Sequence, residues 1–346
     1  MCWGVAMQRS LAVVNLENVK KNALIVKERA GNAKICAVVK CDAYGHGAIA
    51  ISHALENDID CFAVAIIDEG VQLKISGVSK DVLVLQPALC EIEVLRAVNF
   101  DLILTIASIE DFTLIKTVCD KFNVTVRAHL KCNTGMNRLG FDYWQFSNAC
   151  LNIKSEKRII IEGIYSHFYL PENKMESSAQ FNLFIRFCSF AERVFGKIIK
   201  HISATGGLFS NKDYSLDMVR VGIALYGYFP RGIKSENKLY PAMQVYARAV
   251  QNRKYETGGI AYGKTNFKYS DITTLRLGYG EGFFRSGKIG NINNLCMDSF
   301  VIGKKYQRGE LVPVMLDADV YAKKHNTISY EVLCSVSKRA EIIYTQ

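Results

Sequence analysis

Between residues 34 and 225, short apolar runs rich in β-branched residues alternate with longer segments whose apolar positions recur every three or four residues. The runs are KICAVV (34–39), CFAVAI (61–66), DVLVLQ (81–86), DLILTI (101–106), VTVRAHL (124–130), RIIIEGIYS (158–166), KHISAT (200–205) and VRVGIAL (219–225). Runs this short and continuous predict strands buried on both faces, as in a parallel sheet. The segments between them, such as LENVKKNALIVKERA before the first and ESSAQFNLFIRFCSFAERVF before the seventh, predict amphipathic helices. Eight strands in succession predict an α/β chain folded as a (β/α)8 TIM-like barrel over residues 10–234 rather than an open sheet. After YGYFPRGIKSEN the rhythm changes. From about Leu239 the candidates are AMQVYARAVQ, DITTLRLGYGEG, SFVIGKK and ELVPVML, separated by Gly-rich turns. They predict a second, smaller, mainly β domain over 235–346, closed by a short helix at SYEVLCSVS.

Composition fits this division. A chain of 346 residues holds a barrel with a smaller module beside it. With 49% apolar and 11% aromatic residues, the composition supports a large buried core and argues against disorder. No apolar run of membrane-spanning length occurs, and the opening MCWGVAMQRS lacks the basic segment of a signal peptide. Eleven scattered cysteines without a C-x-x-C pair therefore read as reduced thiols in the cytoplasm. The net charge of +10 is dispersed among acids, which fits a solvated surface or an anionic small molecule better than nucleic acid. No metal is expected.

In such a barrel, function collects at the C-terminal ends of the strands. Lys40 and Tyr44 follow the first strand, Lys131 and Arg138 the fifth, His167 the sixth and Thr205 the seventh, while Arg220, Gly222 and Ile223 lie in the eighth run. A lysine ending a buried strand is either solvated just beyond it or held where its amine reacts. Most lysines are surface charge. A whole rim of polar and basic groups shifts the reading of Lys40 towards chemistry.

The constellation resembles the alanine racemase family. AVVKCDAYGHG is similar to its cofactor-lysine signature, HLKCNTGMNRLGF to its lysine and arginine loop, GIYSHF to its histidine strand and DMVRVGIALYG to its arginine strand. IAYGKTNF, LRLGYGEGFFR, CMDSF and ISYEVLC follow in family order. The resemblance implies pyridoxal 5'-phosphate as cofactor, bound to Lys40 as a Schiff base. Tyr44, Tyr330, Thr205 and the backbone of Gly222 and Ile223 would hold its phosphate, and Arg220 would face its ring nitrogen. An arginine there keeps its own proton and leaves the ring nitrogen unprotonated, which suits racemisation over transamination. Lys40 and Tyr262 would be the two bases, with His167 beside Tyr262. Arg138 would bind the substrate carboxylate, Met297 and Asp298 would line the substrate end, and Tyr279 would stand at the entryway. Lys131 aligns with a lysine that family members often carry as a carbamate. A head-to-tail homodimer with shared sites, a role in supplying D-alanine for peptidoglycan, and no nucleic-acid or membrane partner complete the implication.

The sequence departs from the family at several points. Asn133 replaces an aspartate, Ala204 an asparagine, Thr205 a serine, and YGEG stands for YADG. SHFYLPENK lacks the usual small-residue run, and the β domain is short between Arg285 and Cys296. A racemase of serine, lysine or a broad range on the same scaffold is the main alternative. A barrel decarboxylase would lack the Tyr262 and CMD pair, and a non-catalytic pyridoxal-phosphate carrier would lack everything after Leu239.

Overall fold

The structure is a computed structural model and describes residues 10–263, 270–285, 295–336 and 339–346. The opening nine residues, Lys264–Phe267 of the IAYGKTNF motif, residues 286–294 of the short stretch before Cys296, and Ser337 lie outside the described residues. The chain forms two compact units. One comprises residues 20–43 and 48–239, and the other comprises the described residues up to 19, residues 44–47 and those from 240 onwards.

The first element among the described residues is β1 (Ser10–Asn15), a strand of the second unit. The first unit is built on β2 (Lys34–Val38), β3 (Cys61–Val64), β4 (Asp81–Val84), β5 (Leu102–Ile106), β6 (Val126–Lys131), β7 (Ile159–Tyr165), β8 (Ile199–His201) and β9 (Met218–Val221). These are the eight runs expected, paired in the order β8-β7-β6-β5-β4-β3-β2-β9. Two bonds close the ring between β8 and β9: Asp217 N–H to the Lys200 carbonyl at 3.1 Å and Arg220 N–H to the Ser203 carbonyl at 2.9 Å. All five residues of β5 are buried, as a parallel strand covered on both faces requires. Its one polar side chain, Thr105, is satisfied by donating to the Val84 carbonyl at 2.7 Å. The following helix, Ile109–Phe122, buries Phe112, Ile115, Val118 and Cys119 on one stripe. Ser108 caps its start, accepting from Asp111 N–H at 3.2 Å, and left-handed Asn123 ends it.

The eighth run stops sooner than its composition suggests. β9 ends at Val221, Gly222 turns the backbone, and Ile223–Tyr226 form a 3-10 turn. Gly222 and Ile223 therefore present backbone at a strand end, not side chains along a strand.

In the second unit, β10 (Met243–Lys254) pairs antiparallel with β1, β11 (Asp271–Leu275) and β13 (Leu311–Met315), while β12 (Phe300–Ile302) lies outside β11. β14 (Glu341–Thr345) runs parallel to β1 on its other side. The expected helix is present at Ser329–Val336. Three further elements have no counterpart in the sequence reading: β1, β14 and the helix Ala318–His325. The run SLAVVN merges with the helical periodicity that follows it, and EIIYT has little burial contrast along its length.

Gly282 closes the 3-10 turn Tyr279–Glu281 with φ +87°, and a Cβ there would lie 1.9 Å from the Ser335 carbonyl oxygen. Backbone cannot yield as a side-chain tip can. Gly282→Ala is expected to destabilise the β unit by about 2–4 kcal/mol from overpacking and positive φ together. Urea unfolding of the purified variant checks this.

Candidate active site

Lys40 stands two residues beyond β2, at the start of the helical turn Lys40–Gly45. The turn is left-handed: Cys41, Asp42, Ala43 and Tyr44 have φ of +53°, +53°, +52° and +54°. Left-handed helical geometry costs an L-residue about 1–2 kcal/mol, so four in succession carry about 4–8 kcal/mol of strain. Specific bonds oppose it. Ala43 N–H donates to the Val39 carbonyl at 2.8 Å, the Asp42 carboxylate accepts from Ala48 N–H at 2.7 Å, and the Glu69 carboxylate accepts from Cys41 N–H at 2.6 Å. None of the four residues is glycine, and only Asp42 is of a type that tolerates positive φ, so the sequence signals this handedness weakly.

Arg220, on β9, is buried in the barrel mouth. Its Nη1 donates to His201 Nδ1 at 2.7 Å and to the His201 carbonyl at 3.1 Å. Its Nη2 donates to the Ser166 carbonyl at 2.6 Å, the Ile202 carbonyl at 3.3 Å and His167 Nδ1 at 3.3 Å. The guanidinium also lies 5.0 Å over the Tyr165 ring. A guanidinium only donates, so His201 Nδ1 accepts and its proton sits on Nε2. That proton is donated to His129 Nδ1 at 2.9 Å. A string of directed hydrogen bonds therefore runs from Arg220 through His201 to His129. Gly163 makes room for its end: a Cβ there would meet the His129 ring at 2.6 Å.

Burial, reinforced by the positive charge of Arg220, holds all three imidazoles neutral. His201 and His167 titrate well below the usual histidine range, and His129 is pulled down to about 3. Tyr165 forms the floor, stacked on His201 at 5.0 Å and anchored through its hydroxyl to Thr105 at 2.8 Å and the Leu85 carbonyl at 3.2 Å. The sequence reading names Arg220 and His167 but misses His201, His129 and Tyr165. A polar side chain within a buried strand run was the available signal for each.

Lys131 ends β6 and is buried, with Nζ donating to the Cys132 carbonyl at 3.1 Å and lying 5.0 Å over the same Tyr165 ring. Burial, then the charges of Arg220 and Arg138, push its amine down to about 7. Arg138 is exposed on the loop that follows. Asn133 builds that loop with both ends of its amide. Nδ2 donates to Asn137 at 3.0 Å and Asp142 at 2.9 Å, and Oδ1 accepts from the N–H groups of Gly135 at 3.1 Å and Asn137 at 3.0 Å. An aspartate could not donate to Asp142, so the departure at Asn133 suits this loop. Thr205, at the start of the helix Thr205–Ser210, accepts from Ala224 N–H at 3.3 Å, which brings it against the Gly222–Ile223 turn.

The remaining predicted residues belong to the second unit. Tyr44 and Tyr330 pack with ring centroids 5.9 Å apart, and burial raises the Tyr330 phenol. Tyr262 sits in the tight turn Ile260–Gly263 and is 76% exposed, with the Arg285 guanidinium 5.6 Å from its ring centre. The segments carrying Tyr279 and Met297 are joined by backbone bonds, from Tyr279 N–H to the Cys296 carbonyl at 2.9 Å and from Gly280 N–H to the Met297 carbonyl at 2.8 Å. Met297, Asp298 and Tyr279 all face solvent in the single chain.

The closed eight-stranded barrel, with a lysine two residues beyond β2 and a mainly β unit that follows in sequence, defines a two-domain barrel protein with a basic, histidine-lined mouth. The chain belongs to the alanine racemase family. The alanine racemase N-terminal domain model matches residues 14–230 and the C-terminal domain model residues 242–344. The chain is 32% identical to the alanine racemase of Methanococcus maripaludis, over 96% of this chain and 98% of that one. It is 31% identical to that of Clostridium novyi, over 96% and 94%. Alanine racemase from Clostridium difficile superimposes with a TM-score of 0.87 at 27% identity, covering 97% of this chain and 96% of that one.

The neutral imidazoles give a test of the site's electrostatics. In the unfolded chain each protonates near pH 6.5, whereas in the folded barrel it resists protonation, so unfolding takes up protons as pH falls. Stability is expected to be greatest above pH 6.5 and to fall by up to about 2 kcal/mol per imidazole by pH 5, the loss from His129 continuing towards its folded value near 3. Urea unfolding at pH 7 and pH 5 measures it. Equal stability at the two values would mean the imidazoles are not held neutral.

Proposed function

We propose that the protein interconverts L-alanine and D-alanine with pyridoxal 5'-phosphate, Lys40 and Tyr262 being the two bases. One observation carries this: the buried arginine at the barrel mouth is held by carbonyls and neutral imidazoles, and among the described residues no carboxylate bonds to it. The residues fit the cofactor. Lys40 offers an amine for its aldehyde. The hydroxyls of Tyr44, Tyr330 and Thr205, with the backbone N–H groups of Gly222 and Ile223, suit a phosphate dianion, and Arg220 suits a ring nitrogen. When bound, pyridoxal phosphate supplies an electron sink that acidifies the α-hydrogen of an amino acid.

Arg220 donates a hydrogen bond without giving up its proton, which limits that sink and favours returning a proton to Cα over transamination. A planar carbon needs a base on each face, since one base alone returns the proton to the side it left. Lys40 serves the D-enantiomer and Tyr262 the L-enantiomer. His167, neutral and held by Arg220, is the partner that lowers the barrier to moving a proton on and off the Tyr262 phenol. Arg138 offers a planar fork to the substrate carboxylate, Met297 and Asp298 line the substrate end, and Tyr279 stands at its entrance. Burial lowers the Lys131 amine to about 7, so roughly half of it is neutral near that pH, the form that adds carbon dioxide, and Lys131 as a carbamate would give Arg138 an anionic neighbour. We place the enzyme in the cytoplasm, as a source of D-alanine for peptidoglycan.

Incubation with L-alanine in heavy water should yield D-alanine and deuterium at Cα of both enantiomers. In parallel incubations with L-serine and L-lysine, deuterium entering either of them while L-alanine stays unlabelled would instead favour a racemase of different specificity on the same scaffold.

The exposure of Tyr262 and Met297 supports a head-to-tail dimer in which each β domain completes the partner's barrel mouth. Lys40→Ala and Tyr262→Phe homodimers should each lose about 10²-fold or more in rate. Co-folding them should restore about a quarter of wild-type activity, because about half the dimers are mixed and each of those has one intact site. A mixture as inactive as its parents, with subunit exchange demonstrated, would place both bases in one chain.

A further inference from the structure

We propose that Glu69 is a positioning residue for Lys40, acting through the backbone N–H of Cys41 to hold the left-handed turn that presents the amine. The inference rests on the reading of Lys40 as the residue that binds pyridoxal phosphate.

The helices after β3, β4 and β5 share one device. A carboxylate in the first turn accepts from the backbone N–H four residues earlier: Glu69 from Ala65 at 2.7 Å, Glu93 from Leu89 at 2.7 Å, and Asp111 from Ala107 at 2.8 Å. This is ordinary capping, and it recurs around the barrel. Glu69 differs in what its second oxygen does. Oε2 makes the cap, whereas Oε1 crosses to the neighbouring rim segment and accepts from Cys41 N–H at 2.6 Å. Among the described residues, neither Glu93 nor Asp111 reaches another rim segment in this way.

The bond falls where strain is concentrated. Cys41 is the first of the four left-handed residues and directly follows Lys40. Strained backbone persists only where its surroundings over-determine it. The anchors at the far side of the turn are a backbone bond at Ala43 and the Asp42 carboxylate at Ala48. Glu69 supplies the anchor next to the lysine itself. Both of its oxygens are used, since a glutamine has one acceptor oxygen for the donors at Cys41, Ala65 and, at 3.4 Å, Ile66.

The test uses the full chain freed of cofactor and given pyridoxal 5'-phosphate. Lys40 Nζ adds to the aldehyde carbon, the carbonyl oxygen leaves as water, and a C=N bond forms. Borohydride then delivers hydride to that carbon while water protonates the nitrogen, fixing a stable pyridoxyl group on the lysine. Samples quenched over time and mapped by peptide give the rate of labelling at Lys40, and amide hydrogen exchange reports protection at Cys41.

Glu69→Ala should slow labelling of Lys40 by about tenfold or more and expose the Cys41 amide to exchange, because a small misplacement of a reacting group has a large effect on rate. Glu69→Gln should fall between it and wild type. Asp111→Ala, which removes a sister cap, should stay within about twofold of wild type. Equal labelling rates in folded Glu69→Ala and Asp111→Ala would overturn the proposal. Should Glu69→Ala not fold, Glu69→Gln against Asp111→Asn is judged by the same standard. A wild-type chain that takes no label at Lys40 overturns the assignment of Lys40, and this inference with it. A labelled wild type with indifferent Glu69 variants overturns the role of Glu69 alone.

Discussion

The guanidinium of Arg220 is a full charge enclosed by the barrel, and the mouth is arranged around keeping it hydrated by protein. An uncompensated buried charge costs several kcal/mol, and the usual remedy is a carboxylate. Here the compensation is spread over three backbone carbonyls, two imidazole nitrogens and one aromatic face. Hydrogen bonds to a charged donor contribute about 1.5–3 kcal/mol each when well formed, enough in combination to offset the desolvation. The choice has a chemical result: the site keeps its positive potential. Burial lowers the basic groups nearby and that potential adds to it, which is why His129, His167, His201 and Lys131 all shift in the same direction.

The lysine turn solves a different problem. A strand aimed into the mouth must deliver an amine and then reverse at once, within a few residues, and four left-handed residues precede the first glycine, Gly45. The left-handed turn does so at a cost that its three anchoring bonds meet. Two of the anchors are carboxylates accepting from backbone, stronger than neutral pairs. Strain at the lysine and positive potential at the arginine are thus both sustained by hydrogen bonds from the surrounding protein.

Much of this was legible from sequence and some was not, for identifiable reasons. The barrel strands could be read because double-sided burial leaves continuous apolar runs such as DLILTI. The rim residues could be read because polar groups follow those runs directly. His201 and His129 lie inside the runs KHISAT and VTVRAHL, where periodicity alone treats them as strand positions. Only the side-chain geometry shows that they point at each other and at Arg220. The left-handed turn was illegible because the strongest cue for positive φ is glycine, and among its four left-handed residues only Asp42 is of a type that tolerates it. β1 was missed because its six residues read as the approach to a helix, and what makes it a strand is pairing with residues from the far end of the chain.

That last pairing bears on how the molecule comes into being. β1 occupies the interior of its sheet, with β10 on one side and β14 on the other, so its backbone is satisfied only by partners made hundreds of residues later. The barrel strands, by contrast, pair with neighbours close in sequence, apart from the closing of β2 on β9. On a ribosome the barrel could assemble while the opening strand still waits, its amides and carbonyls open on both sides. Such an edge is a template for any other extended segment. The interval before β10 and β14 emerge is therefore when a nascent chain is most exposed to misassembly, and its length is set by sheet order alone.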